Sequence, residues 1–527
     1  MNVKKLGLLA TALVLVFAML AGCGRGTGPS GPGTSPSAGT PQQELKVGLD
    51  IDAGTADPRL ARDTSARRVV DVVFNGLVWL DTELKPQPAL ATSWQQVDPT
   101  TWEFTLRDGV KFHDGSEFTA EDVKYTYDTI LDPDFKAPYR SLYAPIKEVQ
   151  VVDAHHVRFL LNQPYAPLLS YLDMGIVSKK AAEAAGAAFS SQPVGTGPFK
   201  LVKWDKNQKI EFEAFPDYWG GAPALKKLTY LIIPDNTVRA AALEAGDVDL
   251  IHSPLSPQDL PRLQNNSKLT VKKTNALGFT YVSFNCADPV LKDVRVRQAL
   301  AHLIDKKAIS SSIYQGMDTP GKSPLVPAMW AYSDDIKDPQ YDPAQAKTLL
   351  EEAGWKDTDG DGILDKGGRK LSISLKTHSE DPNRIQVVEF LQNEFQKNGI
   401  EAKVETTEWP TFRDSVQQGK YQLAVLGWLG LVDPDRAMYN QFRSDGPNND
   451  GKYSNPRVDE LLDKGRTTAD LEERKQVYRE AAQIVVDEVA YDVILYQGYV
   501  VAYNNRVNGF EIHPNASFAS LAKVTVK

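Results

Sequence analysis

The chain predicts a mixed α/β fold with more than one sheet, and three observations carry that prediction. Leu228 to Ile233 is a largely apolar run closed by Pro234-Asp235-Asn236; a helical stretch, Thr237 to Ala245, follows, and Val248-Asp249-Leu250-Ile251 opens a new apolar run. Strand, helix and strand within about 24 residues make a βαβ-like unit. Trp102-Glu103-Phe104-Thr105-Leu106 alternates apolar with polar, the period of a half-buried strand. Asp342-Pro343 and Asn455-Pro456 each place a capping residue before a proline, the signature of a helix start.

In chain order, Leu45 to Ile51 reads as the first strand. After Trp102 to Leu106 comes the turn Arg107-Asp108-Gly109, then a short strand, Val110-Lys111-Phe112. Thr119 caps a helix from Ala120 to Leu131, with Glu121 and Asp122 at its positive end. Val151-Val152 and Val157 to Leu160 flank the turn Asp153 to His156 and predict a hairpin. The break Gly195-Thr196-Gly197-Pro198-Phe199 precedes strands at Lys200 to Val202 and Lys209 to Glu213. Gly246 suits the left-handed position after its helix. Gly278 begins a further strand at Phe279 to Phe284, and Asp293 caps a helix whose Val296, Leu300, Leu303 and Ile304 share one face. Leu371 to Leu375 and Leu423 to Leu426 predict a second sheet.

The N-terminus is not part of that fold. Lys4-Lys5, the uncharged run Leu6 to Leu20, and Ala21-Gly22-Cys23 make an export signal too short for a confident membrane span. Leu20-Ala21-Gly22-Cys23 resembles the bacterial lipobox, which implies that Cys23 becomes a lipid-bearing N-terminus; ordinary signal cleavage beside a chance cysteine is the competing reading. Residues 24–43 are nearly all Gly, Pro, Ser and Thr, so they cannot bury enough apolar surface to offset ordering. Such a tether spans about 25 Å. The protein is therefore expected to be exported and lipid-anchored at the outer face of the cytoplasmic membrane or elsewhere in the cell envelope.

Composition narrows the partners. Hydrophobic residues at 42% and charged residues at 24% are those of a globular body. A net charge of −9 argues against nucleic acid. Besides Cys23 only Cys286 remains, so the body holds no internal disulfide, and Cys286 reads as a small buried hydrophobe. The roughly 480 residues after Gln43 suggest two to four domains.

Motifs for catalysis are sparse. There is no Gly-x-Ser-x-Gly elbow and no His-Glu-x-x-His. One Ser-x-x-Lys, Ser520 with Lys523, lies at the extreme C-terminus, and His155-His156 sits at a turn tip. A secreted hydrolase is the alternative from another class. Asp357, Asp359 and Asp361 with Gly362 match the first half of a calcium loop, and Asp365 stands at its ninth position. Position twelve is Gly368, so the bidentate glutamate is missing; a polar turn is the competing reading. No cofactor is expected beyond this candidate structural calcium. Trp428 with Gly427 and Gly430, at the C-terminal end of an apolar strand, is a candidate ligand contact, because ligands of open α/β sheets sit outside such strand ends. A core role suits Trp428 equally. Tyr281, Asn285, Gly54 and Thr55, near other predicted strand ends, are lesser candidates.

Several segments together resemble one family. Arg107 to Gly115 (RDGVKFHDG) with Phe118 to Val123 (FTAEDV), Gly195 to Phe199, Tyr218-Trp219, Arg239 with Ala245-Gly246-Asp247-Val248-Asp249, and Asp293 to Ala299 (DVRVRQA) stand in the order of the family 5 extracellular solute-binding proteins. These are the dipeptide, oligopeptide and nickel receptors of ABC importers. The resemblance covers nearly the whole body and implies an α/β two-lobed periplasmic-binding-protein clamshell (type II, cluster C) with an extra small α/β domain. Lobe I would combine 44–85, 195–277 and 495–527, the extra domain 86–194, and lobe II 278–494. It implies a monomeric, non-enzymatic receptor that binds a peptide or other small molecule and docks on ABC permease subunits. Nickel chelates, haem and oligosaccharides are the alternative ligands. Trp428 is favoured as a ligand contact by the same resemblance. In one place the chain departs from the pattern. Peptide-binding members commonly read Gly-Trp-x-x-Asp, whose acid holds the peptide ammonium; here that place is Leu431, and Asp433 is the nearest carboxylate after it.

Overall fold

The computed structural model describes residues 43–256 and 258–527. The leader, Cys23 and tether residues 24–42 lie outside them.

An eleven-stranded sheet runs through the body. Its main path is Glu401–Thr407, Ser372–His378, Leu423–Leu429, Leu269–Phe284, Tyr491–Asn504, Leu250–His252, Glu44–Leu49, Lys227–Ile232, Lys209–Ala214 and Phe199–Asp205. The expected second sheet is thus continuous with the first. Two long antiparallel strands, Leu269–Phe284 and Tyr491–Asn504, belong to both halves, and their register breaks between Asn275 and Phe279 and again at Thr280–Tyr281. Gly278 lies inside the first of these strands instead of starting a new one. A Cβ there would stand 2.6 Å from the Trp428 carbonyl and from Gln497 Oε1, so the glycine marks close backbone approach.

Side chains alternate across this sheet and build a core on each face. On one side of the crossing, Tyr281 enters a core with Phe279, Met438 and Tyr478, while its neighbour Val282 enters another with Leu300, Leu391 and Phe395. On the other side, Val47, Phe212, Tyr230, Val501 and Phe518 pack together, and Leu243, Ile251 and Val500 fill the opposite face. The βαβ unit is present as Lys227–Ile232, Asn236–Ala245 and Leu250–His252, with Gly246 at φ 84°.

A separate four-stranded sheet orders Ala91–Asp98, Thr101–Leu106, His156–Leu161 and Ile146–Asp153. Helix Ala120–Leu131 covers it, opened by a capping box in which the Asp122 carboxylate accepts from the Thr119 N–H. Tyr127 from that helix meets Phe159 edge-on at 5.1 Å. Val110 to Phe112 forms no strand, contrary to expectation. Gly109 and Gly115, at φ 69° and 86°, fold the segment so tightly that a single Lys111–Glu117 bridge forms.

Candidate functional site

The registers decide where a ligand can sit. Leu250 pairs with Tyr503 and His252 with Val501, so this strand runs toward the crossing of the two long strands. Glu44–Leu49 is parallel to it, and Lys227–Ile232 is parallel to Glu44–Leu49. From the other side, Leu423 pairs with Phe284 and Leu429 with Gly278, so that strand also runs toward the crossing. Ser372–His378 and Glu401–Thr407 are parallel to it. The carboxyl ends of both parallel sets therefore face the junction between the lobes. Each set alone presents the kind of strand-end crevice where open α/β sheets bind ligands.

Apolar side chains stand exposed at those ends. Ile51 follows strand Glu44–Leu49 and is 59% exposed, Leu429 ends strand Leu423–Leu429 at 65%, and Trp409 lies past Thr407 at 41%. Singly exposed large hydrophobics are ordinary on a protein surface, so only their place at the strand ends makes these three candidate contacts. The polar groups nearby are paired within each lobe. Asp50 lies 3.5 Å from Arg68 and 3.6 Å from His252, and burial together with the Arg68 charge pushes the His252 imidazole well below its usual range. Across the junction, Arg384 sits 3.0 Å from His378 Nε2 and 3.2 Å from Asp381. These histidines face arginines and carboxylates, not a nucleophile.

Trp428 is half-buried against the Tyr281 core, and its indole N–H is buried without a partner. A bound acceptor would satisfy it. Gly430, at φ 68°, is exposed beside Trp428. Gly54 is also exposed, with open space where a Cβ would be, and the Thr55 hydroxyl accepts from the Asp57 N–H. Tyr281 is different: its ring is buried and stacked on Tyr491 at 4.3 Å, which leaves it no face for a ligand. Asn285 spends its amide on the carbonyls of Gly419 and Tyr421, at 3.0 and 2.9 Å. It edges a separate surface depression of about 520 Å³ with Lys376, Glu405 and Gln422.

Asp433 does not fit the role of a free ammonium anchor. It is fully buried, and its carboxylate is taken up by Arg474 at 2.9 Å, the Ser170 hydroxyl at 2.9 Å and the Asp435 N–H. It caps helix Pro434–Phe442. Leu431 is equally buried and packs in the core around Tyr281. Neither position offers a charge to solvent.

The candidate calcium loop Asp357 to Asp365 holds a cation of its own. Asp357, Asp359 and Asp361 converge, but Asp365 turns away and accepts from the Thr358 N–H and hydroxyl. The Lys370 ammonium pairs with Asp361 and lies 3.8 Å from Asp359. Three carboxylates with a cation of their own are a poor fit to a calcium cage.

The motifs that carry the resemblance act on the scaffold. His113 lies against the Gly195–Gly197 segment, its Nε2 2.9 Å from the Gly197 carbonyl. Gly195 and Gly197 touch the end of helix Thr64–Val73 so closely that a Cβ at either would overlap Val73. Arg239 is wholly buried and donates to the carbonyls of Ile233 and Pro254. Arg297 ties Leu291 to Glu488 in the same way.

The profile described as "Bacterial extracellular solute-binding proteins, family 5 Middle" matches residues 85–450. The chain is 30% identical to the oligopeptide-binding protein AppA of Bacillus subtilis, over 99% of each chain. The structure of AppA with a nonapeptide superposes with a TM-score of 0.72 at 29% identity, over 93% of this chain and 100% of that one. Heme-binding protein A of Haemophilus influenzae is 33% identical over 81% of this chain and 82% of its own. NikZ of Campylobacter jejuni, solved with Ni(L-His), gives a TM-score of 0.73 at 28% identity, over 92% and 100%.

Proposed function

The chain belongs to the family 5 bacterial extracellular solute-binding proteins, and from that premise we propose that it is the lipid-anchored receptor of an ABC importer, closing two lobes on a solute and delivering it to a membrane permease. The carrying observation is the opposition of two sets of parallel-strand carboxyl ends across a two-strand crossing. Contacts made from both ends at once exist only when the lobes are closed, so a solute shifts the population toward closure. Trp428, Gly430, Gly54 and Thr55 are the proposed contacts, with Ile51, Leu429 and Trp409 added as apolar grips. The lobe boundaries proposed are 44–85, 195–277 and 495–527 for lobe I and 278–494 for lobe II, with 86–194 as the extra domain. Monomeric action and non-enzymatic capture belong to the same reading.

A peptide is the first candidate solute, since AppA and other relatives are named for peptides. The burial of Leu431 and Asp433 favours a peptide held by its backbone and apolar side chains over one held by its ammonium. It equally supports the second reading, a metal chelate, haem or oligosaccharide with no ammonium at all. Mass spectrometry of solute copurified with the protein decides between them. Small-angle scattering with and without that solute should show a smaller radius of gyration when bound. A scattering profile that solute leaves unchanged would sink the closing mechanism.

A further inference from the structure

We propose that residues 314–321 are a clasp on the hinge, a lobe II loop that locks the two crossing strands in register through Asp318 and Thr319 and so sets how readily the lobes open. The loop follows helix Lys306–Ser312, whose Ile309 is rooted in the lobe II core. Thr319 and Pro320 pair with Tyr496 and Leu495, and the Gly321 N–H donates to the Ile494 carbonyl at 3.0 Å. Those contacts stay on the Phe279 side of the register break.

The tip of the loop reaches further. Asp318 accepts from the Gly498 N–H at 2.9 Å, the Thr319 hydroxyl donates to Asn275 Oδ1 at 3.1 Å, and the Lys273 ammonium donates to the Gly316 carbonyl at 2.7 Å. Asn275 and Gly498 are each other's register partners, and theirs is the last pair before the register breaks. A loop anchored in lobe II therefore holds the final lobe I rung of the hinge from both strands. Gly498 has no side chain because a Cβ there would overlap the Met317 carbonyl. The Ser310 hydroxyl donates to the Asp318 carbonyl at 2.6 Å and holds the tip down. Lobe movement that shifts this rung must break or slide these bonds.

The clasp also carries a charge that titrates. Burial holds the Asp318 carboxyl up at about 6, against the pull of the Gly498 N–H and Lys273 and with a push from Asp381. The other groups around it are Tyr314 on the same loop, raised by burial, and Arg384 beside Asp381. A raised carboxyl means that the clasped arrangement takes up a proton in preference to one in which Asp318 is hydrated. Clasping is therefore strongest at low pH and weakens as pH rises from the ordinary carboxyl range through about 6. The rise from the ordinary 3.8 to about 6 allows the clasping equilibrium to change by up to about 100-fold across that window.

The inference rests on the two-lobed fold and not on which solute is bound, so the test uses ligand-free protein. The whole mature chain, with Cys286→Ala to remove the native thiol, carries spin labels at the exposed positions Val202 and Lys403. Distances between the labels are read at about pH 5 and about pH 8. The parent should shift to a more open or broader distribution at the higher pH. Asp318→Asn should give one distribution at both, at least as closed as the parent's at the lower pH, and Gly498→Ala should be broad at both. Thr319→Val, nearly isosteric, should broaden the distribution even if Gly498→Ala fails to fold. A parent distribution unmoved by pH, or an Asp318→Asn variant that titrates like the parent, overturns the charge step. Distances unchanged in Thr319→Val overturn the clasp. A failed solute assay would leave both results standing.

Discussion

A buried carboxylate with three partners behaves as a structural residue, and Asp433 is that case. Removing its charge strands Arg474, whose side chain is only 5% exposed. Breaking one side of a buried pair typically costs about 3–5 kcal/mol. Asp433→Asn should therefore lower the denaturant midpoint markedly while leaving solute affinity nearly unchanged in the folded fraction. The reverse pattern, intact stability with lost affinity, would restore Asp433 as the ligand anchor. His113 gives a prediction in pH. Burial, opposed by the Gly197 carbonyl, brings its imidazole from the ordinary 6.5 down to about 4. A depressed histidine is neutral in the folded state, so its stability is complete above pH 6.5 and drains away as pH falls toward 4, by up to about 3 kcal/mol. His113→Gln should flatten the acid limb of a stability–pH curve across that window. An unchanged limb would place the acid sensitivity elsewhere. Residue identity was readable from sequence at both sites, but the partners were not, since Asp433 meets Ser170 across 263 positions.

Elements were legible where the signal was local. Thr119, Asp293, Asp342 and Asn455 each cap the helix that their side chains announce, because a cap acts within one turn. Val110 to Phe112 failed because three apolar-rich residues do not reveal whether a partner strand is within reach. The loop Asp357 to Asp365 shows a related limit: spacing describes ligands along the chain, whereas Lys370 arrives from the next turn of chain. With its own cation in place the loop should bind calcium weakly. A dissociation constant near about 1 mM would add only about 0.4 kcal/mol at an equal calcium concentration. Melting curves with calcium and with chelator should then agree to within about 1 °C. Lys370→Ala should widen that gap. A drop of several degrees with chelator in the parent, abolished by Asp359→Ala, would re-establish a structural calcium.

The whole molecule is governed by one crossing. Its two long strands run through both halves of the sheet, and its register breaks mark where the proposed closure bends. Tethering belongs to this scale as well. No helix of the described residues is long and apolar enough to cross a membrane. Under the proposed lipid anchor, Cys23→Ser should release the protein in soluble or unprocessed form. A mature-sized Cys23→Ser protein that still fractionates tightly with membranes would refute the lipid anchor. The sequence by itself determined the α/β class, the capped helices, the βαβ unit and the family, because each rests on short-range periodicity or on motifs contiguous in the chain. Only the tertiary structure decided that the two predicted sheets are one, that both sets of strand ends face the junction, and that Tyr281, Leu431 and Asp433 are buried. Those outcomes depend on contacts between distant segments, Leu269–Phe284 with Tyr491–Asn504, more than 200 residues apart, and Asp433 with Ser170. Burial and register at that distance are set by which surfaces pack together, and no local pattern encodes them.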